Sequence, residues 1–203
     1  LDRQRGDAYK RGGHRSRAFF KLEQMDLKYG LFGRIRDAHR PSSKCAVLDI
    51  GCAPGGWMEY ACGRLGDRGL VIGVDLLPME PIPNTAFLAG DVREPSVRCG
   101  VIELAEGLPV ALVMSDIAPN TTGDKSTDHF RSLELAELSL NLAEKTLCRG
   151  GTFLCKLFRG RDDRELIEGA REAGFQKVRW VKPPASRAES KETYFLATEF
   201  QTP

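Results

Sequence analysis

A glycine-rich segment between residues 49 and 57 has the residue types of a ligand-binding turn. It reads Asp49-Ile-Gly51-Cys-Ala-Pro54-Gly55-Gly56-Trp57 and follows a short apolar run. Glycines let the backbone approach a ligand closely, and the amides that open a following helix are free to bind it. The spacing G-x-x-x-G-G differs from the G-x-G-x-x-G of dinucleotide enzymes, and no G-K-S or G-K-T follows. These features argue against a dinucleotide or nucleoside triphosphate site.

Two acidic residues follow the next apolar runs in register with this turn. Asp75 ends a run some two dozen residues after the glycines, and Asp91 lies in Gly90-Asp91-Val92. A carboxylate at the first position can accept hydrogen bonds from a ribose diol, and one at the second from an adenine amino group. Trp57 can pack on apolar parts of the ligand, although a tryptophan that opens a helix also serves as core. Together they predict an adenosine pocket that needs no pyrophosphate.

Polar residues also interrupt two further apolar runs. Asp116 follows the run 110–114, and Lys156 lies inside the run Thr152–Phe158. Burying a lysine is costly unless it is paired or deprotonated. The alternative is an ammonium that reaches solvent from the strand end while its stem packs.

The elements that must position these residues alternate along the chain. The apolar patterns predict strands at Ala46–Ile50, Leu70–Asp75, Ala86–Gly90, Val110–Ser115, Thr152–Phe158, Lys177–Val181 and Thr193–Thr198, with helices at Gly56–Leu65, Ser96–Glu106, Thr127–Leu147 and Asp162–Ala173. Ser16 is expected to cap a first helix that runs to about Tyr29, and Arg36–Lys44 to be a connection. Alternating strands and helices favour a Rossmann-like α/β fold, with a mostly parallel seven-stranded sheet covered on both faces.

Length and charge limit the classes of protein that fit. The 203 residues suit one domain, and no apolar run is long enough to span a membrane. Residues 1–40 hold eleven Lys/Arg and five Asp/Glu, a charge of +6 that leaves about −4 elsewhere. A basic segment on a near-neutral body favours a polyanion such as RNA, although a solvated tail has the same composition. We expect residues 1–15 to form a flexible basic arm and residues 16–203 one domain.

The cysteines and histidines give no metal pattern. Six cysteines are scattered without a C-x-x-C pair, and the three histidines lie far from them and from one another. A zinc site needs clustered ligands, and a disulfide framework needs a short secreted chain. We therefore expect no metal and a cytoplasmic location, or an organellar matrix if a targeting segment precedes residue 1.

The motifs together resemble the FtsJ/RrmJ (RlmE) family of ribosomal RNA 2′-O-methyltransferases. The likeness runs from about residue 14 to the end, through the segments Ser16–Leu22, Asp49–Trp57, Val74–Met79, Ser115–Asn120, Lys156–Gly160 and Ser186–Tyr194. It implies the methyltransferase form of the Rossmann-like fold and the cofactor S-adenosylmethionine. The implied catalytic residues are Lys21, Asp116, Lys156 and Glu192, and the implied cofactor-binding residues are Gly51, Pro54, Gly55, Gly56, Trp57, Asp75, Asp91, Val92 and Asp116. Three features depart from the family pattern: Cys52 stands where alanine is common, the connection 36–44 is longer, and Glu189 takes a place that is often basic.

The implied reaction is methyl transfer to a ribose 2′-hydroxyl, at a uridine of large-subunit (23S-type) ribosomal RNA. Lys156 is the candidate base, because burial beside a second cation, Lys21, favours the neutral amine. Lys21 would orient the reactants, and Glu192 would position Lys21 or the ribose. The candidate RNA-binding residues are Arg11, Arg15, Arg17 and Arg187.

Several alternatives remain at this point. Transfer RNA or an mRNA cap fits the same chemistry, and so does an inactive RNA-binding assembly factor. A dinucleotide-dependent oxidoreductase lacks its glycine pattern here, and the basic segment disfavours a methyltransferase for small molecules or proteins. We expect a monomer.

Overall fold

Strands and helices alternate through the part of the chain that the structure describes. The computed structural model describes residues 13–38, 44–158, 160, 163–186 and 192–202, with side chains omitted for 36–38. The helices in these ranges are α1 (Ala18–Tyr29), α2 (Leu31–Ala38), α3 (Gly56–Leu65), α4 (Pro95–Leu104), α5 (Lys125–Thr146) and α6 (Asp163–Glu172). The strands are β1 (Cys45–Ile50), β2 (Gly69–Asp75), β3 (Thr85–Ala89), β4 (Val110–Ser115), β5 (Leu147–Phe158), β6 (Phe175–Val181) and β7 (Glu192–Phe200). Residues 1–12 of the expected arm lie outside the described residues.

One sheet of seven strands forms the centre, in the order β3-β2-β1-β4-β5-β7-β6. The pairs from β3 to β5 are parallel, whereas β7 runs antiparallel to both of its neighbours. This order confirms the expected mostly parallel seven-stranded sheet.

The two faces of the sheet bury separate apolar layers. Side chains of β1 alternate between them: Leu48 and Ile50 join the layer beneath α4, α5 and α6, while Val47 joins the layer beneath α1, α2 and α3. Successive side chains of a strand point to opposite faces, so an all-apolar strand must be covered on both sides. The sequence expectation of helices on both faces is confirmed.

Two expectations about the first forty residues are wrong. Residues 31–38 form helix α2, part of which we expected to be a connection. The carboxylate of Asp26 in α1 accepts a hydrogen bond from the Phe32 amide (2.9 Å), so the cap comes from another helix. Ser16 does not cap α1, because Arg17 is the N-cap residue and no side chain caps it.

The parallel register brings the polar strand ends to one edge of the sheet. Ile50 pairs with Ser115, and Ser115 pairs with Cys155, so the residues that follow them lie side by side. Strand β7 begins at the same edge, where its Tyr194 pairs with Lys156. The carboxyl edge of the sheet is where ligands bind in folds of this kind.

Candidate active site

The turn after β1 needs its glycines for both conformation and space. Gly51 and Gly55 have φ angles of +78° and +102°, which side chains with a Cβ rarely adopt. A Cβ on Gly51 would collide with the Ile117 side chain, and one on Gly56 with the Ser16 hydroxyl. The turn is therefore packed tightly between the segment after β4 and the segment before α1.

A cavity of about 210 Å³ lies between these segments. Its walls are Ser16, Arg17, Ala18, Asp49, Gly51, Cys52, Ala53, Pro54, Gly56, Trp57 and Asp116. Five predicted cofactor residues, Gly51, Pro54, Gly56, Trp57 and Asp116, thus meet around one space. Gly55, Asp75, Asp91 and Val92 are not among the residues that line it.

Asp49 gives the cavity a buried acidic group. Its side chain is 1% exposed, and no side chain among the described residues bonds its carboxyl group, whose neighbouring donor is the backbone amide of Met58. Burial, followed by the charges of Asp116 and Asp75, raises the pKa of this carboxyl well above its usual value. A buried acid without a side-chain partner favours a ligand that brings a positive charge or a hydrogen-bond donor.

The two acids at the ends of β2 and β3 lie in different environments. Asp75 ties the glycine turn to β2, because its carboxylate accepts hydrogen bonds from the amides of Ala53 and Leu77 (2.8 Å each). Asp91 is bound by the guanidinium of Arg93, with a shortest distance of 2.6 Å, and these hydrogen bonds lower the pKa of Asp91. Each carboxylate keeps lone pairs for further donors.

Lys156 and Asp116 form an ion pair beside the cavity. Nζ of Lys156 lies 3.1 Å from Oδ1 of Asp116 and also donates to the main-chain oxygen of Asp116. The lysine is only 9% exposed, so its amino group is buried beside Asp116 rather than extended into solvent. The alternative of a lysine that reaches solvent from the strand end is therefore wrong.

A second ion pair joins the two ends of the chain. Nζ of Lys21 in α1 lies 2.9 Å from Oε2 of Glu192 at the start of β7. Tyr194 connects the two pairs: its hydroxyl donates to Oδ1 of Asp116 (3.0 Å), and Nζ of Lys21 lies 5.8 Å from the centre of its ring. The four predicted catalytic residues thus form two ion pairs on either side of one tyrosine.

Tyr194 and Asp49 are site residues that the sequence reasoning missed. Tyr194 lies two positions after Glu192, and a period of two places both side chains on the same face of a strand. That signal was available. For Asp49 the signal is an acid near the end of an otherwise apolar strand, which is itself unusual.

The candidate RNA-binding residues are only partly described. Arg11 and Arg187 lie outside the described residues. Arg17 contributes to the cavity wall, whereas the guanidinium of Arg15 donates to the main-chain oxygens of Glu80 and Pro81 (2.7 and 2.8 Å). Within the described ranges, His, Cys, Asp and Glu form no group of three or more that could hold a metal, and no helix is long and apolar enough to cross a membrane.

Comparisons with curated proteins reveal close relatives. The Ribosomal RNA large subunit methyltransferase E of Acidiphilium cryptum is 42% identical over 205 aligned residues, which cover 99% of this chain and 85% of that protein. The protein of the same name from Hydrogenovibrio crunogenus is 42% identical over 188 residues, which cover 93% and 86%.

Solved structures of methyltransferases also superpose on this chain. A ribosomal RNA methyltransferase from Plasmodium falciparum superposes with a TM-score of 0.78 at 29% identity, covering 94% of this chain and all of that one. Human Methyltransferase-like protein 13, solved with S-adenosylhomocysteine, has a TM-score of 0.51 at 12% identity, over 76% of this chain and 72% of its own. The latter likeness shows the fold alone.

The family match agrees with the geometry of the site. The FtsJ-like methyltransferase family matches residues 14–200, a span that contains the glycine turn, the cavity and both ion pairs. The chain therefore belongs to the FtsJ-like methyltransferase family, and S-adenosylmethionine is its methyl donor.

Proposed function

We propose that this protein methylates a ribose 2′-hydroxyl of large-subunit ribosomal RNA, at a uridine of the 23S type. The observation that carries the proposal is the buried lysine of β5, which is paired with Asp116 at the wall of the cavity. Relatives named for large-subunit ribosomal RNA, at 42% identity, support this substrate.

The cavity suits the methyl donor in charge as well as in position. S-adenosylmethionine supplies an electrophilic methyl group on a sulfonium and also bears an ammonium. Asp49, buried without a side-chain partner among the described residues, and Asp116 offer carboxylates to such a cation, and the amino-terminal end of α3 can attract a carboxylate. Asp75 and Asp91, at the ends of β2 and β3, would hold the ribose and the adenine.

Proton removal is assigned to Lys156. The 2′-hydroxyl of a ribose is a weak acid, so its attack on a methyl group gains from a base within hydrogen-bond reach. In the proposal, the neutral amine of Lys156 accepts that proton, and the carboxylate of Asp116 stabilises the ammonium that forms. The Lys21–Glu192 pair fixes a second cation near the attacking oxygen and orients it.

The basic amino-terminal region supports RNA as the partner. Residues 1–40 carry a net charge of +6, and this region includes α1, which holds Lys21. Contacts between cations and phosphates orient RNA without reading its sequence, and the 2′-hydroxyl itself distinguishes RNA from DNA. We propose that the protein acts as a monomer. We assign it to the compartment that holds the ribosomes, which is the cytoplasm in bacteria.

The decisive experiment offers labelled S-adenosylmethionine together with competing RNAs. The purified protein is incubated with large subunits from a bacterium that lacks its own methyltransferase E, with naked large-subunit RNA from the same cells, and with transfer RNA. We expect label in large-subunit RNA, at a nucleotide whose 3′ linkage resists alkaline hydrolysis. Comparison of particles with naked RNA identifies the form that is methylated.

A substrate with one atom removed provides the control. Large-subunit RNA with a 2′-deoxy substitution at the mapped nucleotide should accept no label at that position. Label in transfer RNA alone would contradict the proposed substrate. Cofactor binding without label in any RNA would instead favour an inactive assembly factor.

A further inference from the structure

Arg15 joins the glycine turn after β1, which lines the cavity, to the loop after β2. Its guanidinium donates to the main-chain oxygens of Glu80 and Pro81, at 2.7 and 2.8 Å, and reaches that of Pro54 at 3.5 Å. Pro54 belongs to the glycine turn after β1, while Glu80 and Pro81 belong to the loop after β2. One side chain therefore links two loops that are separated by α3 and β2 in the chain.

The stem of Arg15 is packed at the same junction. A Cβ placed on Gly55 would lie 3.2 Å from Cδ of Arg15, 2.9 Å from Cε of Met79 and 3.1 Å from Cδ1 of Ile82. The aliphatic part of the arginine thus contacts the glycine turn, while its polar end binds the carbonyl oxygens. Long basic side chains often combine packing and hydrogen bonding in this way.

The backbone around Arg15 is held from a third direction. The Arg15 amide donates to Oε2 of Glu59 (3.0 Å), and Oε1 of Glu59 lies 2.8 Å from Nδ1 of His14. The ring of His14 stacks on Phe19 at 3.7 Å between centroids. These contacts fix residues 14 and 15 against α3.

The residues that follow form one wall of the cavity. Ser16, Arg17 and Ala18 line it, and the main-chain oxygen of Ala18 accepts a hydrogen bond from the Trp57 indole (2.8 Å). Any movement of Arg15 would therefore move this wall relative to the glycine turn.

We propose that Arg15 is a positioning residue for the methyl-donor pocket and not a phosphate contact. It acts through the carbonyl oxygens of both loops and keeps the wall 16–18 closed over the cavity. An arginine suits this role because its planar fork reaches several acceptors at once, whereas a lysine ammonium is a single point. The proposal rests on the methyl donor of the family and is independent of which RNA is modified.

Measurements of cofactor binding and of RNA binding distinguish a positioning role of Arg15 from a phosphate contact. Isothermal titration with S-adenosylhomocysteine should give a dissociation constant about tenfold higher for Arg15→Ala, since several hydrogen bonds to a charged group are lost. Binding of fluorescein-labelled poly(U), measured without cofactor, should stay unchanged. The slope of the logarithm of the poly(U) binding constant against the logarithm of salt concentration should stay unchanged too. Each lost phosphate contact would lower the magnitude of this slope by about one.

Arg149→Ala is the matched control for the loss of one positive charge. Arg149 is exposed in β5 far from the cavity, where its Nε donates to Oε1 of Gln201 at 3.1 Å. We expect both binding constants of this variant to equal those of the unmodified protein.

Kinetics and two further variants exclude a general loss of structure. The KM for S-adenosylmethionine should rise in Arg15→Ala, with kcat recovered at saturating cofactor. Arg15→Lys should retain part of the affinity, and Glu59→Gln should weaken cofactor binding from the opposite side of the same segment. If Arg15→Ala does not fold, these two variants decide the question.

Two results would overturn the proposal. One is an unchanged affinity for S-adenosylhomocysteine in Arg15→Lys and Glu59→Gln. The other is weaker poly(U) binding with a reduced salt slope in either Arg15 variant, which would assign the guanidinium to phosphate. A failure of RNA methylation in the unmodified protein would affect neither measurement, since both monitor binding alone.

Discussion

The two halves of the site are built in different ways. The cofactor half consists of the glycine turn, Asp49 and Asp75, which lie within thirty residues on neighbouring strands. The proton-transfer half consists of two ion pairs and Tyr194, and one of those pairs, Lys21 with Glu192, spans 171 positions of the chain. The first half depends on local backbone conformation, whereas the second depends on the topology of the whole sheet. Substitutions in the two halves should therefore change different quantities.

The largest effect is expected from Lys156→Ala. Removal of the proposed base should lower kcat by about 10²- to 10⁴-fold, the usual contribution of a positioned base. Binding of S-adenosylhomocysteine should change little, because Lys156 does not line the cavity. Single-turnover methylation and isothermal titration measure the two quantities separately. Lys156→Arg should be equally inactive, because arginine stays protonated.

A lysine on the outermost strand of the sheet, β6, serves as the control. Lys177 in β6 also pairs with a carboxylate, Glu199, at 2.7 Å, but this pair is exposed and far from the cavity. Lys177→Ala should keep full activity. A Lys156→Ala protein that methylates at the normal rate would remove the base from the proposed mechanism.

Asp49→Asn tests the cofactor half and should have the next largest effect. The substitution keeps the size of the side chain but replaces the carboxyl group that faces the cavity by an amide, so that a cationic ligand meets no carboxylate there and the affinity for S-adenosylhomocysteine should fall about tenfold. At saturating S-adenosylmethionine, kcat should remain close to normal. Asp67→Asn, at an exposed position of the short 3-10 helix Gly66–Arg68, is the control. A reduced kcat with unchanged affinity would place Asp49 in the other half.

The same substitution should alter how stability depends on pH. The pKa of Asp49 is raised in the folded protein, so between the ordinary value of about 4 and the raised value the folded state holds a proton that the unfolded state has lost. The Asp49 component of the free energy of unfolding therefore decreases as pH rises through this window, by up to about 1.4 kcal/mol per pH unit. Urea unfolding of the cofactor-free proteins at a series of pH values should show this decrease, and Asp49→Asn should abolish it. Parallel pH profiles of the two proteins would contradict the prediction.

The contrast between the halves also explains what the sequence could predict. The order of strands and helices, the glycine turn and the acids after β2 and β3 follow from periodicity and local spacing, since consecutive parallel strands end at one edge. The convergence of Lys21 and Glu192 does not follow from spacing, because no local rule relates α1 to β7. Only the family resemblance supplied it.

Side-chain contacts across elements caused the errors. Helix α2 contains Gly33 and is capped by the carboxylate of Asp26 from α1, so its own residues carry no capping signal. Ser16 has the residue type of a cap, yet its hydroxyl is buried against the glycine turn, with no hydrogen-bond partner in the described ranges. The predicted RNA contact of Arg15 is a separate case: the sequence indicates its positive charge, but not that carbonyl oxygens of two later loops lie within reach of its guanidinium.

The smallest effect is expected from Tyr194→Phe, which tests how rigid the proton-transfer half must be. The change removes the hydroxyl that donates to Oδ1 of Asp116 and leaves the ring beneath Lys21 in place. Because Asp116 keeps its contact with Lys156, we expect kcat to fall only about three- to tenfold, the value of one hydrogen bond. The affinity for S-adenosylhomocysteine should stay within twofold, by isothermal titration.

Tyr60→Phe provides the matched comparison for this last variant. The Tyr60 hydroxyl donates to the buried carboxylate of Asp26 at 2.8 Å, a hydrogen bond of the same kind that lies away from both ion pairs. Its loss should lower the free energy of unfolding by about 1 kcal/mol and leave kcat unchanged. If Tyr194→Phe likewise changed only stability, Asp116 would need no support beyond Lys156. The proton-transfer half would then consist of the two ion pairs alone.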